Sequence, residues 1–270
     1  FSFAPDGRTM CMAIPDARTG TMDLWLQDLE RGLRTRLTFG TESEWQGKFH
    51  PDGSWLAAVN DQLGHGGIYR VSSRGGEAPV PLVVDNNDNV PGGFTADGAL
   101  YYQATDSTAV QWIGVLDPVT GETELLHPNA AASERDPQPS PNGRWLAYSS
   151  FETGNMEIYI EALGGRTGRW RVSSDGGMMP AWSPDGDLLY YIAGNQTLVS
   201  VPVIETDDGL DLGAPKSVTR ALEVSGTAPY AIDPSNGDLA VVRPSNGDAS
   251  RALELITGWT RLVDRNRRGE

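Results

Sequence analysis

Three histidines, one cysteine and a scatter of carboxylates and amides are the groups here with the most chemistry to offer. A histidine metal centre needs ligands at short spacings, as in HxH or HExxH, because two imidazoles must reach one ion from one element. His50, His65 and His127 have no such spacing. His50 stands just before a turn, where sibling segments carry Ser, and His127 in "LLHPN" ends an outer strand. Both read as surface or packing residues. His65, in the loop "NDQLGHGGIY", is the one placed to line a rim. Cys11 lies in the strand-like run "TMCMAI" and reads as a small buried hydrophobe. A nucleophile elbow (GxSxG) and a phosphate loop (GxxxxGK[ST]) are both missing. What remains is a set of acidic and amide residues in short connecting segments, and their meaning depends on what holds those segments together.

One turn recurs six times: "FAPDGRTMCMAI", "FHPDGSWLAAV", "FTADGALYYQA", "PSPNGRWLAYSS", "WSPDGDLLYYI" and "IDPSNGDLAVV". Pro presets φ at the first corner, Asp or Asn bonds back to the backbone, and Gly accepts positive φ. Asp6, Asp52, Asp97 and Asp185, with Asn142 and Asn236, are therefore expected to serve turns. One acid per unit is not the clustered spacing of a calcium loop. The turn glycines Gly7, Gly53, Gly98, Gly143, Gly186 and Gly237 are separated by 46, 45, 45, 43 and 51 residues. After each turn comes an apolar strand, a polar loop, an alternating strand and often a polar outer strand. Such units, repeating about every 45 residues, build propeller blades.

The expected fold is an all-β, six-bladed β-propeller of four-stranded antiparallel blades. The blades fall at about 1–43, 44–89, 90–134, 135–177, 178–226 and 227–266, with a frayed tail over 267–270. Innermost strands are expected at Phe1–Phe3, Gly47–His50, Gly92–Thr95, Pro137–Pro139, Pro180–Trp182 and Pro229–Ile232. "VIETDDGLDLGAPKSV" reads as an insertion in the fifth unit, an extended hairpin or surface loop, and "WTRLV" near Trp259 as the last outer strand. Trp25, Trp55, Trp145, Trp170 and Trp182 recur at strand positions and are assigned to packing between blades.

The 270 residues carry a net charge of −15, with 32 Gly and 18 Pro. That charge opposes binding to nucleic acid or to an anionic membrane surface. No apolar run reaches the length of a membrane span. The single Cys forms no internal disulfide and leaves the compartment open. The chain begins at Phe1, without Met and inside the first repeat, so it reads as a piece of a longer protein.

Following the strands puts the inter-blade connections and the loops between second and third strands on one face, opposite the Asp-Gly turns. That face is expected to carry Glu44, Trp45, His65, Asp88, Asn89, Arg135, Asp136 and Met179. A small-ligand or cation site belongs there. The run Glu134-Arg135-Asp136 is read first as a loop ion network and second as a ligand-capturing cation. No catalytic residue and no metal ligand is assigned. No cofactor is expected, although a divalent cation such as calcium in the channel stays open.

The stretch from "DPQPSPNGRWLAYSS" through "WSPDGDLLYYIAGNQTLVSVPV" resembles the TolB-like (WD-repeat-like) propeller repeats found C-terminal to many bacterial serine/threonine protein kinases. "MDLWLQDLERGLRTRLTFGTESEWQGKFHPDGSWLAAV" is similar to their first two blades, and "LELITGWTRLV" to their closing tail. The same repeats occur in stand-alone periplasmic proteins and ahead of peptidase domains. The resemblance implies a non-catalytic binding, sensor or protein-interaction domain, placed outside the cytoplasm. Its partner would be a protein, a peptide or a small ligand at the channel mouth. No kinase motif is present in the chain itself. Three other readings stay open: a lyase or hydrolase acting on oligosaccharides, a propeller gating a missing peptidase domain, and an excised propeller without a ligand.

Overall fold

The computed structural model describes residues 1–62, 64–128, 132–219, 229–244 and 251–256. Blade 1 holds β1 (Ser2–Phe3), β2 (Thr9–Pro15), β3 (Met22–Asp28) and β4 (Arg34–Arg36). Blade 2 holds β5 (Glu44–Phe49), β6 (Trp55–Asn60), β7 (Gly67–Ser72) and β8 (Val80–Val83). Blade 3 holds β9 (Asp88–Phe94), β10 (Leu100–Thr105), β11 (Gln111–Leu116) and β12 (Thr123–Leu125). Blade 4 holds β13 (Glu134–Pro139), β14 (Trp145–Ser150), β15 (Glu157–Ala162) and β16 (Arg169–Arg171). Blade 5 has β17 (Gly177–Trp182), β18 (Leu188–Ala193), β19 (Leu198–Thr206), β20 (Gly209–Leu212) and β21 (Lys216–Thr219). Blade 6 contributes β22 (Tyr230–Ile232), β23 (Leu239–Pro244) and β24 (Arg251–Ile256).

Within every sheet the strands pair antiparallel in chain order, except that β20 and β21 both pair with β19. The first strand of each sheet is innermost. Each innermost strand touches the next around the ring, and β22 touches β1. The result is an all-β, six-bladed propeller. "WTRLV" lies outside the described residues, as does the tail over 267–270.

The turns explain the strand starts. All six turn glycines have positive φ, from 67° to 95°. The acids and amides do the bonding expected of them. Asp52 Oδ1 accepts from Ser54 N at 2.8 Å, Asn142 Oδ1 from Arg144 N at 3.0 Å, and Asn236 Oδ1 from Asp238 N at 2.7 Å.

The core is divided rather than central. Among the described residues six apolar clusters stand, one at each interface between neighbouring blades. Second strands face a neighbour on both sides, so most of their residues are apolar and they do not alternate. On β14, Leu146 and Tyr148 pack toward blade 3, while Trp145 and Ala147 pack toward blade 5. Cys11 is buried between blades 1 and 2, and burial pushes its thiol up to about 12, so it stays protonated. Trp182 donates from Nε1 to Gln138 O at 3.0 Å, and Trp145 meets Trp170 edge to face. His50 is a packing residue: it stacks on Trp55 at 4.6 Å and meets Phe94 edge-on.

One open alternative is settled and one sequence expectation is revised in detail. The insertion is an extended hairpin, β19–β20, that folds back on blade 4. There Leu210 is buried, and Glu205 accepts from Trp145 Nε1 at 2.7 Å. The inner strands β5, β9, β13 and β17 begin three or four residues earlier than the turn pattern suggested. Each contains a β-bulge, which lets pairing continue past an extra residue. Three bulges place a non-glycine residue at positive φ: Gln46 at 50°, Asp136 at 56° and Met179 at 56°.

Candidate channel site

The innermost strands surround a cavity of about 490 Å³. Its wall is stiff. Prolines 91, 137, 139, 180, 184 and 234 line it, with the rings of Phe3, Phe94 and Trp182. Polar groups interrupt this wall: Gln46, Lys48, Gln103, Asp136, Gln138 and Tyr230.

The bulges aim several of these groups. At the β13 bulge Asp136 Oδ2 accepts from Ser149 Oγ at 2.9 Å and from Met179 N at 3.2 Å. Arg135 Nε lies 3.5 Å from the same oxygen. Asp136 is thus a partnered anion that ties blade 4 to blade 5. Tyr230 donates to Met179 O at 2.6 Å, with Tyr190 O at 3.2 Å, and links blade 6 to blade 5. Burial holds its phenol well above the usual range, so it remains a donor. Gln138 Nε2 donates to Gly92 O at 2.9 Å across the blade 3–4 interface.

Two groups are not partnered. Gln46 Oε1 is buried with no hydrogen-bond partner among the described residues. Lys48 lines the cavity, and no hydrogen bond or ion pair is found for its ammonium among the described residues. Burial pulls the Lys48 pKa down, opposed by the negative charge of Asp136.

The expected site residues divide into separate groups. Arg135, Asp136 and Met179 come together, and Asp136 and Met179 line the cavity. Asp88, Asn89 and His65 form a second group at the edge of blade 3. Gly66 N donates to Asp88 Oδ1 at 2.8 Å, and Asn89 N donates to Gly66 O at 2.7 Å. Asn89 is fully buried and donates to Asp85 Oδ1 at 2.7 Å, so it faces the blade and not the channel. His65 is half-buried, with Nδ1 unpartnered among the described residues. Glu44 is also turned inward: it is 3% exposed and accepts from Asn60 Nδ2 at 3.0 Å. Burial raises its carboxyl to about 7. Trp45 is half-buried beside it on β5. These placements correct the loop assignment. Glu44, Trp45, Asp88, Asn89, Arg135, Asp136 and Met179 lie on inner strands, because the bulges let those strands absorb the supposed connections.

Sequence reasoning passed over Gln46, Lys48, Gln103, Gln138 and Tyr230. A signal for Lys48 was available in the repeat. The second residue before each turn motif is Ser2, Lys48, Gly93, Gln138, Ala181 and Ala231, and only one of these is charged.

A second charged cluster stands on the outer side, between blades 3 and 4. His127 Nδ1 lies 2.7 Å from Glu134 Oε2, and Nε2 lies 3.1 Å from Glu161 Oε2. Tyr148 donates to Glu161 at 3.0 Å, and Arg169 Nε donates to the Tyr148 hydroxyl at 2.7 Å. Hydrogen bonding to Glu134 and then Glu161 raises His127 to about 10. Among the described residues no three His, Cys, Asp or Glu side chains are grouped to hold a metal ion, and no helix is long and apolar enough to cross a membrane.

No family model matches this sequence. An uncharacterized protein of Agrobacterium fabrum is 31% identical over 147 residues, covering 53% of this chain. The match spans 48% of that relative, about half its length. Among solved structures, TolB from Acinetobacter baumannii superposes with a TM-score of 0.76 at 14% identity, over 94% of this chain and 63% of that one. A protein assigned as TolB from Agrobacterium tumefaciens gives 0.70 at 20% identity, over 94% and 88%. An oligogalacturonate lyase in complex with manganese gives 0.62 at 16% identity, over 95% and 87%. One architecture thus carries TolB proteins and a lyase, and at these identities the likeness bears on fold alone. The chain has the TolB-like six-bladed β-propeller fold.

Proposed function

We propose that this chain is a non-catalytic binding domain whose central channel takes a segment of a protein partner. The observation behind this reading is the channel itself: a stiff cavity of about 490 Å³, walled by proline and aromatic rings, with polar groups at a few fixed points. Its size suits one or two residues of an inserted peptide or a small ligand. Rigid walls limit the ordering cost of binding. Asp136 and Tyr230 are engaged in joining blades, which supports positioning over turnover. In this reading the domain belongs to a larger bacterial protein, such as a receptor-like kinase, and works outside the cytoplasmic membrane, as the sequence resemblance implies.

The test is selection of displayed peptides on the purified chain, repeated with Ala181→Trp to fill the channel. The reading expects selected peptides that bind wild type and lose at least tenfold in affinity to the filled variant. Peptides that ignore the substitution would overturn it, as would turnover of oligogalacturonate by the chain.

A further inference from the structure

We propose that Lys48 is an anion-docking point, and that the segment held in the channel presents a carboxylate to it, with a neighbouring N–H donated to Gln46. This deepens the channel-binding reading and rests on it. Both side chains line the cavity, two residues apart on β5, and the bulge between Trp45 and Lys48 turns them toward it. The other charged side chain on the channel wall is satisfied: Asp136 has Ser149, Met179 N and Arg135. The Lys48 ammonium has no hydrogen-bond or ion-pair partner among the described residues, and Gln46 Oε1 is buried without a donor. A cation and an acceptor left open side by side call for an anion and a donor. The last residue of a peptide, or an acidic residue within one, offers both.

The charge balance selects among anions. One ammonium neutralises one charge, Asp136 stands near it, and the whole chain carries −15. A monoanionic carboxylate meets less repulsion here than a phosphate dianion. Burial without a partner disfavours the charged amine, and a carboxylate beside it restores the preference for charge.

The chain has two lysines, Lys48 and the exposed Lys216, so their side-chain NMR signals are directly separable. The probes are N-acetyl-glycyl-glycine, its C-terminal amide, an N-acetylated aspartyl amide and inorganic phosphate. The expected result is a saturable shift of the Lys48 Cε and Nζ signals with either carboxylate, none with the glycyl amide, and an unmoved Lys216. Whichever of the two carboxylates binds more tightly distinguishes a chain terminus from an acidic side chain. Lys48→Met should cut affinity at least tenfold and Lys48→Arg should retain most of it, with thermal melts showing both folded. Lys48 signals that ignore both carboxylates, amide binding equal to acid, tighter binding of phosphate, or full binding by Lys48→Met would each overturn the proposal. If peptides still select the open channel while Lys48 stays silent, the anion site fails and the binding reading stands. If Lys48 responds but no peptide depends on the channel, the partner reading fails instead.

Discussion

Glu44 and His127 hold their protons at values far from the ordinary ones, and each makes stability depend on pH in a defined window. Glu44 is buried on β5 with one oxygen bonded to Asn60 and the other unpartnered among the described residues. Its carboxyl is raised to about 7 by burial, against an ordinary 4.5. The folded state therefore keeps the proton while the unfolded chain releases it, so stability is full below about 4.5 and falls as pH rises through about 7. Glu44→Gln keeps the hydrogen bond and removes the titration. Its unfolding free energy should match wild type at pH 4 and exceed it at pH 8 by about 1–3 kcal/mol, as read by denaturant titration. A variant with the same pH slope as wild type would refute this. His127 is raised in the other chemical sense: its imidazolium, held by Glu134 and Glu161, is the favoured form. That contribution is complete below the ordinary 6.5 and fades as pH climbs through about 10. With the side chain 27% exposed, solvent screening reduces its worth to about 1–2 kcal/mol. His127→Gln should be destabilised at pH 7 and converge on wild type near pH 10.5, a comparison readable by denaturant titration.

At the scale of strands, the bulged inner strand is the element that makes the channel, and it succeeds only where neighbouring backbones come close. Gly92 shows how close. A Cβ there would lie 2.3 Å from Pro137 O and 3.0 Å from Tyr101 O, both backbone atoms that no rotamer change can move. Gly92→Ala should cost about 2–3 kcal/mol by forcing blades 3 and 4 apart, lowering Tm by roughly 5–10 °C. A melt unchanged from wild type would mean the interface yields more easily than this packing allows. The same bulges mark where the sequence stops being readable. Blade number and turn chemistry were legible, because Pro, Asp and Gly each act through their own local geometry. The bulge was not, because Gln46 and Met179 carry no local preference for positive φ, and an Asp such as Asp136 adopts it too seldom to announce a bulge by itself. Those residues are held there by pairing on one side and a neighbouring blade on the other. So Glu44 and Asn89 read as rim residues although they point into blades, and Lys48 read as one more strand position. A channel residue is defined by six strands converging, and no single strand carries that information.

At the scale of the whole molecule, the apolar packing of the described residues is distributed among six interfaces, and unequally. Between blades 4 and 5 the cluster includes Trp145, Ile158, Ile160, Trp182, Leu189 and Tyr191, all buried. Between blades 6 and 1 it is Phe3, Met10 and Ala240, with Phe1, Leu29 and Ala231 partly buried around them. In the described residues each sheet is built from one consecutive stretch of chain, so no strand pairing crosses this seam. It is held by side-chain packing and by the turns, where Gly7 sits against Asp233 and Ser235. Among the described residues this seam has the smallest buried apolar cluster, and local opening follows the interface with least buried apolar surface, so the ring is expected to open there first. Native-state hydrogen exchange should find the amides of β1 and β22 exchanging at lower free energy than those of β14 and β18. Phe3→Ala should cost about 3–5 kcal/mol at the seam. It should speed exchange in blades 1 and 6 while leaving the blade 4–5 interface as protected as the lowered global stability permits. Uniform exchange around all six blades, in wild type and variant alike, would mean that the ring opens only as a whole and that the seam is as strong as its neighbours.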